Sequence, residues 1–545
     1  MKALARIFGI MAARQWGWLT AGILAGILVL AANIALMAVS GWFIASMAIA
    51  GVTKVSFNYI LPALAIRVLA ITRTLGRYAE RLVTHEAAFR MLADLRVWLF
   101  ERLIPLAPAG LEGYAGGDLS GRLRADVDNM ESLYLRIIAP IASGMAVILL
   151  APLCLSIWSP TASLALFVAL LAAGVALPLV TGRMAVSPGK RTVQLSGELR
   201  TVVTEGLQGA EELLLLGASA EQADTVELLY AEIAGGQRRL GGINGLTIGG
   251  VVASGGIALA ILLALTAPEV SRGTISGPEL VMLLLFCAAS FEGVAPLAAA
   301  LQTLPATSAT AGRLTELAAA PCPVPEPATP LHPPSGHEIV FQHVNFAYGA
   351  GAAVLTDFSL VIPKGNRVAI TGHSGRGKSS IVELLLRFRP YQGSITIGGA
   401  ELRGIAGQEI SSLITAMPQR PHLFNTTIRD NILLGCPDAD EQRIKDALED
   451  SGLSGWVDAL PEGLDTTVGV AGSSVSGGEA RRIALARALV HDAPIVLLDE
   501  PTEGLDAETE RTVVARLDKR LYGKTVLLIT HRPACLALAG RIIQI

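Results

Sequence analysis

Hydrophobic positions fall into two regimes along the chain. Up to about Thr303, apolar runs near the roughly 20 residues needed to cross a bilayer alternate with charged segments. From His337 onward, short apolar runs bounded by turn residues read as an ordinary α/β domain. The apolar runs at about 18–39, 57–79, 134–157, 161–182, 244–266 and 279–303 predict six membrane helices. Lys2, Arg6 and Arg14 precede the first, and the 80–132 and 183–243 connections are rich in Arg, whereas Ser159-Pro160 is a tight uncharged turn. Positive charge accumulates on the cytoplasmic side, so the N-terminus, both long connections and the C-terminal part are expected in the cytoplasm.

Two apolar helices followed by roughly 50 polar, helix-patterned residues, twice over, predict membrane helices that continue far beyond the bilayer. The segments Gly113–Val127 and Gly206–Ala218 are expected to turn these long helices back and to dock on the C-terminal domain, as against being plain solvated loops. The first apolar run is too long for a signal peptide and is expected to stay as an anchor. Pro321–Pro334 holds seven prolines in fourteen residues, a stiff extended linker. The predicted fold class is therefore a membrane all-α domain of six helices (1–318), a Pro-rich linker (319–336) and an α/β P-loop domain (337–545).

Composition sharpens this only in places. A hydrophobic share of 52% makes lipid the solvent for half the chain, and a net charge of −3 gives no reason to expect a nucleic-acid partner. Cys154, Cys287, Cys322, Cys436 and Cys535 lack metal-ligand spacing and read as small, inert side chains.

The C-terminal part carries chemistry. GHSGRGKS (Gly372–Ser379) fits G-x-x-x-x-G-K-[ST], with the strand-like RVAIT before it and the helix-like SIVELLLRF after it, the context a phosphate-binding loop requires. Gly372, Ser374, Gly375 and Gly377 are candidates to bring backbone N–H groups to phosphates, with Lys378, Ser379 and Ser380 at the helix start. Lys378 can reach the β- and γ-phosphates of ATP, and the Ser379 hydroxyl can ligate Mg²⁺. PIVLLDE (Pro494–Glu500) reads as a buried strand that delivers two acids at its C-terminal end: Asp499 for Mg²⁺ and Glu500 as general base for water.

VSGGEARR (Val475–Arg482) resembles the ABC signature, usually LSGGQ, and Tyr348, Gln419, Asp506 and His531 stand in the order of the remaining ABC motifs. That resemblance implies that Tyr348 stacks on adenine, that Gln419 joins the Mg²⁺ ligands, and that His531 is the switch histidine. It also implies that Ser476, Gly477, Gly478 and Glu479 contact ATP held by an opposite domain, with Asp506 in the D-loop. One copy then cannot complete an active site, and the chain is expected to dimerise. Two departures stand out. The signature ends in Glu479, and the chain stops at Ile545 soon after the His531 strand, so the C-terminal end is expected to be shortened.

SGWFIASMAIAG, SFNYILPALAIRVLAITRTLGRYAERLVTHEAAFR, IPLAPAGL and PQRPHLFNTTIRDNILL resemble the CydC family of ABC exporter half-transporters. The resemblance implies a heterodimer with a CydD-like half-transporter in the bacterial inner membrane. It implies ATP-driven movement of a small-molecule cargo, the thiol reductants cysteine or glutathione, in support of cytochrome bd assembly, together with haem binding. A non-transporting haem-sensing ATPase and a homodimeric lipid or peptide exporter are the alternatives. Arg73, Arg77, Arg81 and His85 recur every four residues and form one basic stripe on the second helix. The ordinary reading is charge anchoring with pairing to Glu80 and Glu86. The sharper one is a surface for an anionic substrate or cofactor, where His85 would give a haem its axial nitrogen and Arg77 or Arg81 would pair its propionates.

Overall fold

A computed structural model describes residues 2–112, 116–332, 334, 336–349, 351–373, 375–469, 472 and 474–545, with the side chains of 116–122 left undescribed. The chain forms two compact units, Met1–Leu103 with Tyr114–Ala320, and Ile104–Gly113 with Pro321–Ile545.

The first unit is helical. Its elements are α1 (Lys2–Ala12), α2 (Trp16–Thr53), α3 (Ile60–Leu103), α4 (Gly116–Asn129), α5 (Ala139–Leu155), α6 (Pro160–Leu171), α7 (Leu177–Gln208), α8 (Ala210–Leu215), α9 (Ser219–Ser271) and α10 (Gly277–Ala318). Lipid offers backbone groups no partner, so a spanning segment must bond internally, as a helix does. Among the described residues, Trp16–Thr53, Leu123–Leu155, Pro160–Gln208, Ser219–Ser271 and Gly277–Ala318 are long and apolar enough to cross a membrane. The remaining expected span lies on α3, a 44-residue helix packed along α2. Arg67, Arg73, Arg77, Glu80 and Arg81 make α3 too charged to read as a lipid-facing helix.

Local signals fix the helix ends. Ser276 and Glu279 form a capping box at the start of α10. At the predicted tight turn, Ser159 caps α6 ahead of Pro160, and its hydroxyl also donates to Glu269 at 3.0 Å. Small residues let helices approach closely: a Cβ on Gly144 would lie 2.9 Å from Leu297.

The turn-back segments divide. Around Gly206–Ala218, α7 ends, α8 forms one short helix with Leu214, Leu215 and Leu216 exposed, and α9 begins at Ser219. In the earlier segment Gly113, Tyr114 and Ala115 lie outside the described residues, and the stretch that joins the second unit is Ile104–Gly113, ahead of the expected Gly113–Val127. The reason is local: Pro105 and Pro108 cannot continue the α3 helix, and the chain leaves it there.

The second unit holds an antiparallel sheet, order β2-β1-β4-β5, and a parallel sheet, order β6-β7-β8-β3-β9. These strands are β1 (Ile339–Ala347), β2 (Ala353–Ile362), β3 (Arg367–Thr371), β4 (Gln392–Ile397), β5 (Ala400–Glu401), β6 (Ile414–Met417), β7 (Ile495–Asp499), β8 (Thr525–Ile529) and β9 (Arg541–Gln544). Every residue of β7 and β8 is buried, as a parallel sheet covered on both faces requires. After His531 the chain still forms β9, which pairs with β3 at the sheet edge. The Pro-rich linker is fastened to this unit. Buried Arg387 donates to the Pro325 and Ile405 carbonyls and to Glu326, and Leu331 N–H donates to Gly404 O at 2.8 Å. The cysteines are free thiols; Cys287 and Cys535 are buried, whereas Cys154 is exposed.

Candidate ATP site and membrane cavity

Parallel strands deliver functional groups at their C-terminal ends. The loop after β3 runs into the helix Lys378–Leu385, while β7 and β8, in register at Asp499 and Ile529, bring Glu500 and His531 to the same edge. Together they line a cavity of about 710 Å³. Its walls include Tyr348, Gly372, Gly375, Gly377, Lys378, Ser379, Ser380, Gln419, Asp499, Glu500 and His531, which are all predicted site residues. Ser374 lies outside the described residues. Gly375 and Gly377 both adopt φ +83, a left-handed conformation that glycine takes without strain.

Lys378 Nζ donates to the Gly372 and His373 carbonyls at 2.7 and 2.9 Å. The Ser379 hydroxyl donates to Asp499 Oδ2 at 2.7 Å, so a hydroxyl and a carboxylate converge as Mg²⁺ ligands should. Burial pushes the Asp499 carboxyl above its ordinary range, and neighbouring Glu500 adds to that, while the Ser379 bond opposes it. A bound cation would restore the charged form. Gln419 stands on the same wall.

Glu500 Oε1 meets His531 Nδ1 at 2.8 Å, and Glu500 Oε2 is buried without a hydrogen-bond partner among the described residues. Its φ of +52 is costly for a side chain larger than glycine. Such strain persists only where surrounding structure imposes it, and it clusters at functional sites. An oriented carboxylate with one oxygen unspent can accept a proton from water.

Tyr348 presents its ring at the cavity and hydrogen-bonds Ser380 Oγ at 2.8 Å. Sequence reasoning missed its surroundings: Arg389 lies 4.9 Å over the ring and donates to Glu383, and it also pairs with Glu112 of the Ile104–Gly113 segment. Burial raises both the Tyr348 and Glu383 pKa values.

The signature residues stand apart from this cavity. Ser476 caps the helix Gly477–Val490, its hydroxyl accepting from Glu479 N–H while Glu479 accepts from Ser476 N–H at 2.8 Å. The Glu in place of Gln thus completes a capping box, and the Gly477 and Gly478 amides remain at the helix N-terminus, where anions bind. Asp506 caps the helix Ala507–Arg520.

In the membrane unit, Arg73, Arg77 and Arg81 line one cavity of about 520 Å³ together with Asn33 and Glu292. His85 is not on its wall. The expected pairing of His85 with Glu86 is replaced: Glu86 bonds Arg90 at 2.6 Å, and His85 Nδ1 lies 3.7 Å from Glu131, brought close by the bend after α4. Glu80 instead lines a neighbouring cavity that Arg77 also borders. Asn33 and Glu292 were passed over; the signal available was a carboxylate, Glu292, at the middle of the apolar run 279–303.

Residues 355–503 match the family model for the ABC transporter. The chain is 37% identical over 536 residues to the glutathione/L-cysteine transport system ATP-binding/permease protein CydC of Escherichia coli K12, covering 98% of this chain and 93% of that one. It is 30% identical to the glutathione/L-cysteine transport system ATP-binding/permease protein CydD of Bacillus subtilis 168, covering 89% and 84%. Its fold matches that of a bacterial Atm1-family ABC exporter with ATP bound, with a TM-score of 0.83 at 22% identity over 98% of this chain and 94% of that one. With both its membrane helices and its ATP site matched along the full length, the chain belongs to the CydC family of ABC half-transporters, whose ATP hydrolysis is coupled to transport.

Proposed function

We propose that this chain pairs with a CydD-like half-transporter in the bacterial inner membrane, ATPase unit in the cytoplasm, and that the pair exports glutathione or L-cysteine. The observation that carries this reading is identity extending over 98% of the chain to a relative named for that cargo, since membrane helices meet the cargo. Division of residues 1–318, 319–336 and 337–545 into membrane domain, linker and ATPase domain is part of the same reading.

In the ATP site, Tyr348 stacks on adenine and the loop Gly372–Gly377 with Lys378 and Ser380 holds the phosphates. Ser379, Asp499 and Gln419 hold Mg²⁺, which neutralises phosphate charge. Glu500 takes the proton of the attacking water, with His531 orienting its carboxylate through the 2.8 Å contact. Ser476, Gly477, Gly478, Glu479 and Asp506 serve the partner's nucleotide, so two chains close over two ATP molecules. The test is ATP-dependent uptake of labelled glutathione and cysteine into inverted vesicles. Transport should require both chains and Lys378; the purified chain alone should hydrolyse little ATP, and full turnover without a partner would overturn the heterodimer.

We infer haem as a second ligand, held on α3 at His85, outside the wall of the arginine cavity. Its donors are on α3: the half-exposed His85 imidazole, whose nearest ionic neighbour at 3.7 Å is beyond hydrogen-bonding distance, and Arg81 one turn away. His85→Ala should abolish the Soret band of added haem while ATPase activity persists; an unchanged band removes His85 as ligand.

A further inference from the structure

Three guanidinium groups and one carboxylate line the membrane cavity. Arg73 Nη1 donates to Asn33 Oδ1 at 3.2 Å, and Asn33 Nδ2 donates to Glu292 Oε2 at 2.9 Å. Buried Asn33, on α2, thus ties Arg73 of α3 to the Glu292 carboxylate of α10. Its amide faces both ways, with the oxygen toward the cation and the nitrogen toward the anion. The Arg77 and Arg81 guanidinium groups have no hydrogen bond or ion pair among the described residues, although both side chains reach the cavity. Only one oxygen of Glu292 is taken by Asn33.

Unpaired charges on membrane helices are costly unless they face water or a ligand. Glu292 lies near the middle of the apolar run 279–303, away from the headgroup region, whereas Arg77 stands at the end of the run 57–79 and lines the same cavity. Arg77 and Arg81 stand one turn apart, about 6 Å along the axis, close enough to serve one small molecule. Guanidinium groups clamp carboxylates bidentately, and a fixed carboxylate accepts from an ammonium.

The geometry points to a receptor for a zwitterionic amino-acid group, in which Arg77 and Arg81 take carboxylates and Glu292 takes the α-ammonium. This assignment rests on the glutathione/cysteine reading above and deepens it. Glutathione carries two carboxylates and one ammonium, a match for two unpaired guanidinium groups and one carboxylate. L-Cysteine carries one of each and leaves a guanidinium unmatched. A haem offers carboxylates but no ammonium, so Glu292 separates the two kinds of ligand.

The experiment uses the full heterodimer in inverted vesicles with two labelled probes, glutathione and its desamino analogue, in which the γ-glutamyl ammonium is replaced by hydrogen. Wild type should transport glutathione at least about tenfold more efficiently (kcat/KM) than the analogue, a ratio equivalent to about 1.4 kcal/mol. Glu292→Gln should bring that ratio below about threefold, chiefly by losing glutathione transport. Arg77→Gln should lower both probes and leave the ratio standing. Equal transport of the two probes by wild type overturns the receptor while the cargo reading survives, and this arm needs no variant to fold. An unchanged ratio in Glu292→Gln overturns it as well. Wild type that moves neither probe removes glutathione as cargo, and the receptor falls with it.

Discussion

Arg387 in the ATPase unit and Arg77 in the membrane unit are the same side chain in opposite situations. The Arg387 side chain is 4% exposed, and its guanidinium bonds two backbone carbonyls and Glu326, pinning the linker to the sheet domain. Arg77 borders two cavities and has no acceptor among the described residues. Burying a cation is tolerable only when partners replace its water. The ATPase unit meets this condition within its own chain, so its charges serve structure and hydrolysis. The membrane unit leaves it open: Arg77 is exposed in this chain and borders two cavities, so its guanidinium remains available to a ligand.

The comparison is tested most severely at a carboxylate oxygen that the ATPase unit leaves unspent, Glu500 Oε2. Glu500→Gln removes the proton acceptor but keeps the shape, so hydrolysis at this chain's site should fall about 10³-fold while nucleotide stays bound. Single-turnover hydrolysis and retained ATP in the heterodimer measure this. Normal turnover would mean that the competent site is the one built on the partner's phosphate loop.

Exchanging each arginine for methionine sharpens the contrast. In Arg387→Met the Pro325 and Ile405 carbonyls lose their charged donor in a buried position, and the unit should lose about 3 kcal/mol of stability. In Arg77→Met no hydrogen-bond partner among the described residues is left unpaired, and stability should change by less than about 0.5 kcal/mol, although transport suffers. Thermal unfolding of both variants, with proteolysis between residues 321 and 332, reads the difference. Equal destabilisation by the two changes would show that Arg77 is structural and would break the comparison.

What could be read from the sequence follows the range of the interactions. The phosphate loop with its flanking strand RVAIT, which is β3, and the strand PIVLLDE around β7 were legible because each is a local run whose residue types are dictated by backbone approach and burial. The long membrane helices were legible for the same reason, α3 by its periodicity although its charge sets it apart. The partners were not. Asn33 and Glu292 meet across 259 positions, and Arg389 and Glu112 across 277, distances over which no spacing rule operates. The stripe at 73, 77, 81 and 85 read as one surface, yet packing splits it: three arginines share a cavity and His85 turns to Glu131. The chain's departure from α3 at Pro105 was visible as a proline pair in IPLAPAGL, a signal eclipsed by the glycines of the next segment.

The smallest expected effect concerns a charge that, within this chain, caps its own helix. The Asp506 carboxylate accepts from the Glu508 and Thr509 amides, both at 3.0 Å, and the Thr509 amide is the main reason that its pKa is held down to about 2 from an ordinary 3.8. A depressed carboxyl contributes stability that is fully present above the unfolded value and is lost as pH falls through the folded one. The advantage of wild type over Asp506→Asn should therefore be constant above about pH 4 and shrink as pH approaches 2. It should be read locally, as the ratio of amide hydrogen-exchange rates of the two proteins in the first turn of the helix Ala507–Arg520. Because intrinsic exchange varies with pH equally in both, the ratio isolates the cap. A ratio that stayed flat down to pH 2 would mean that the side chain is held by its shape alone, since Asn can accept the same two amides without a charge.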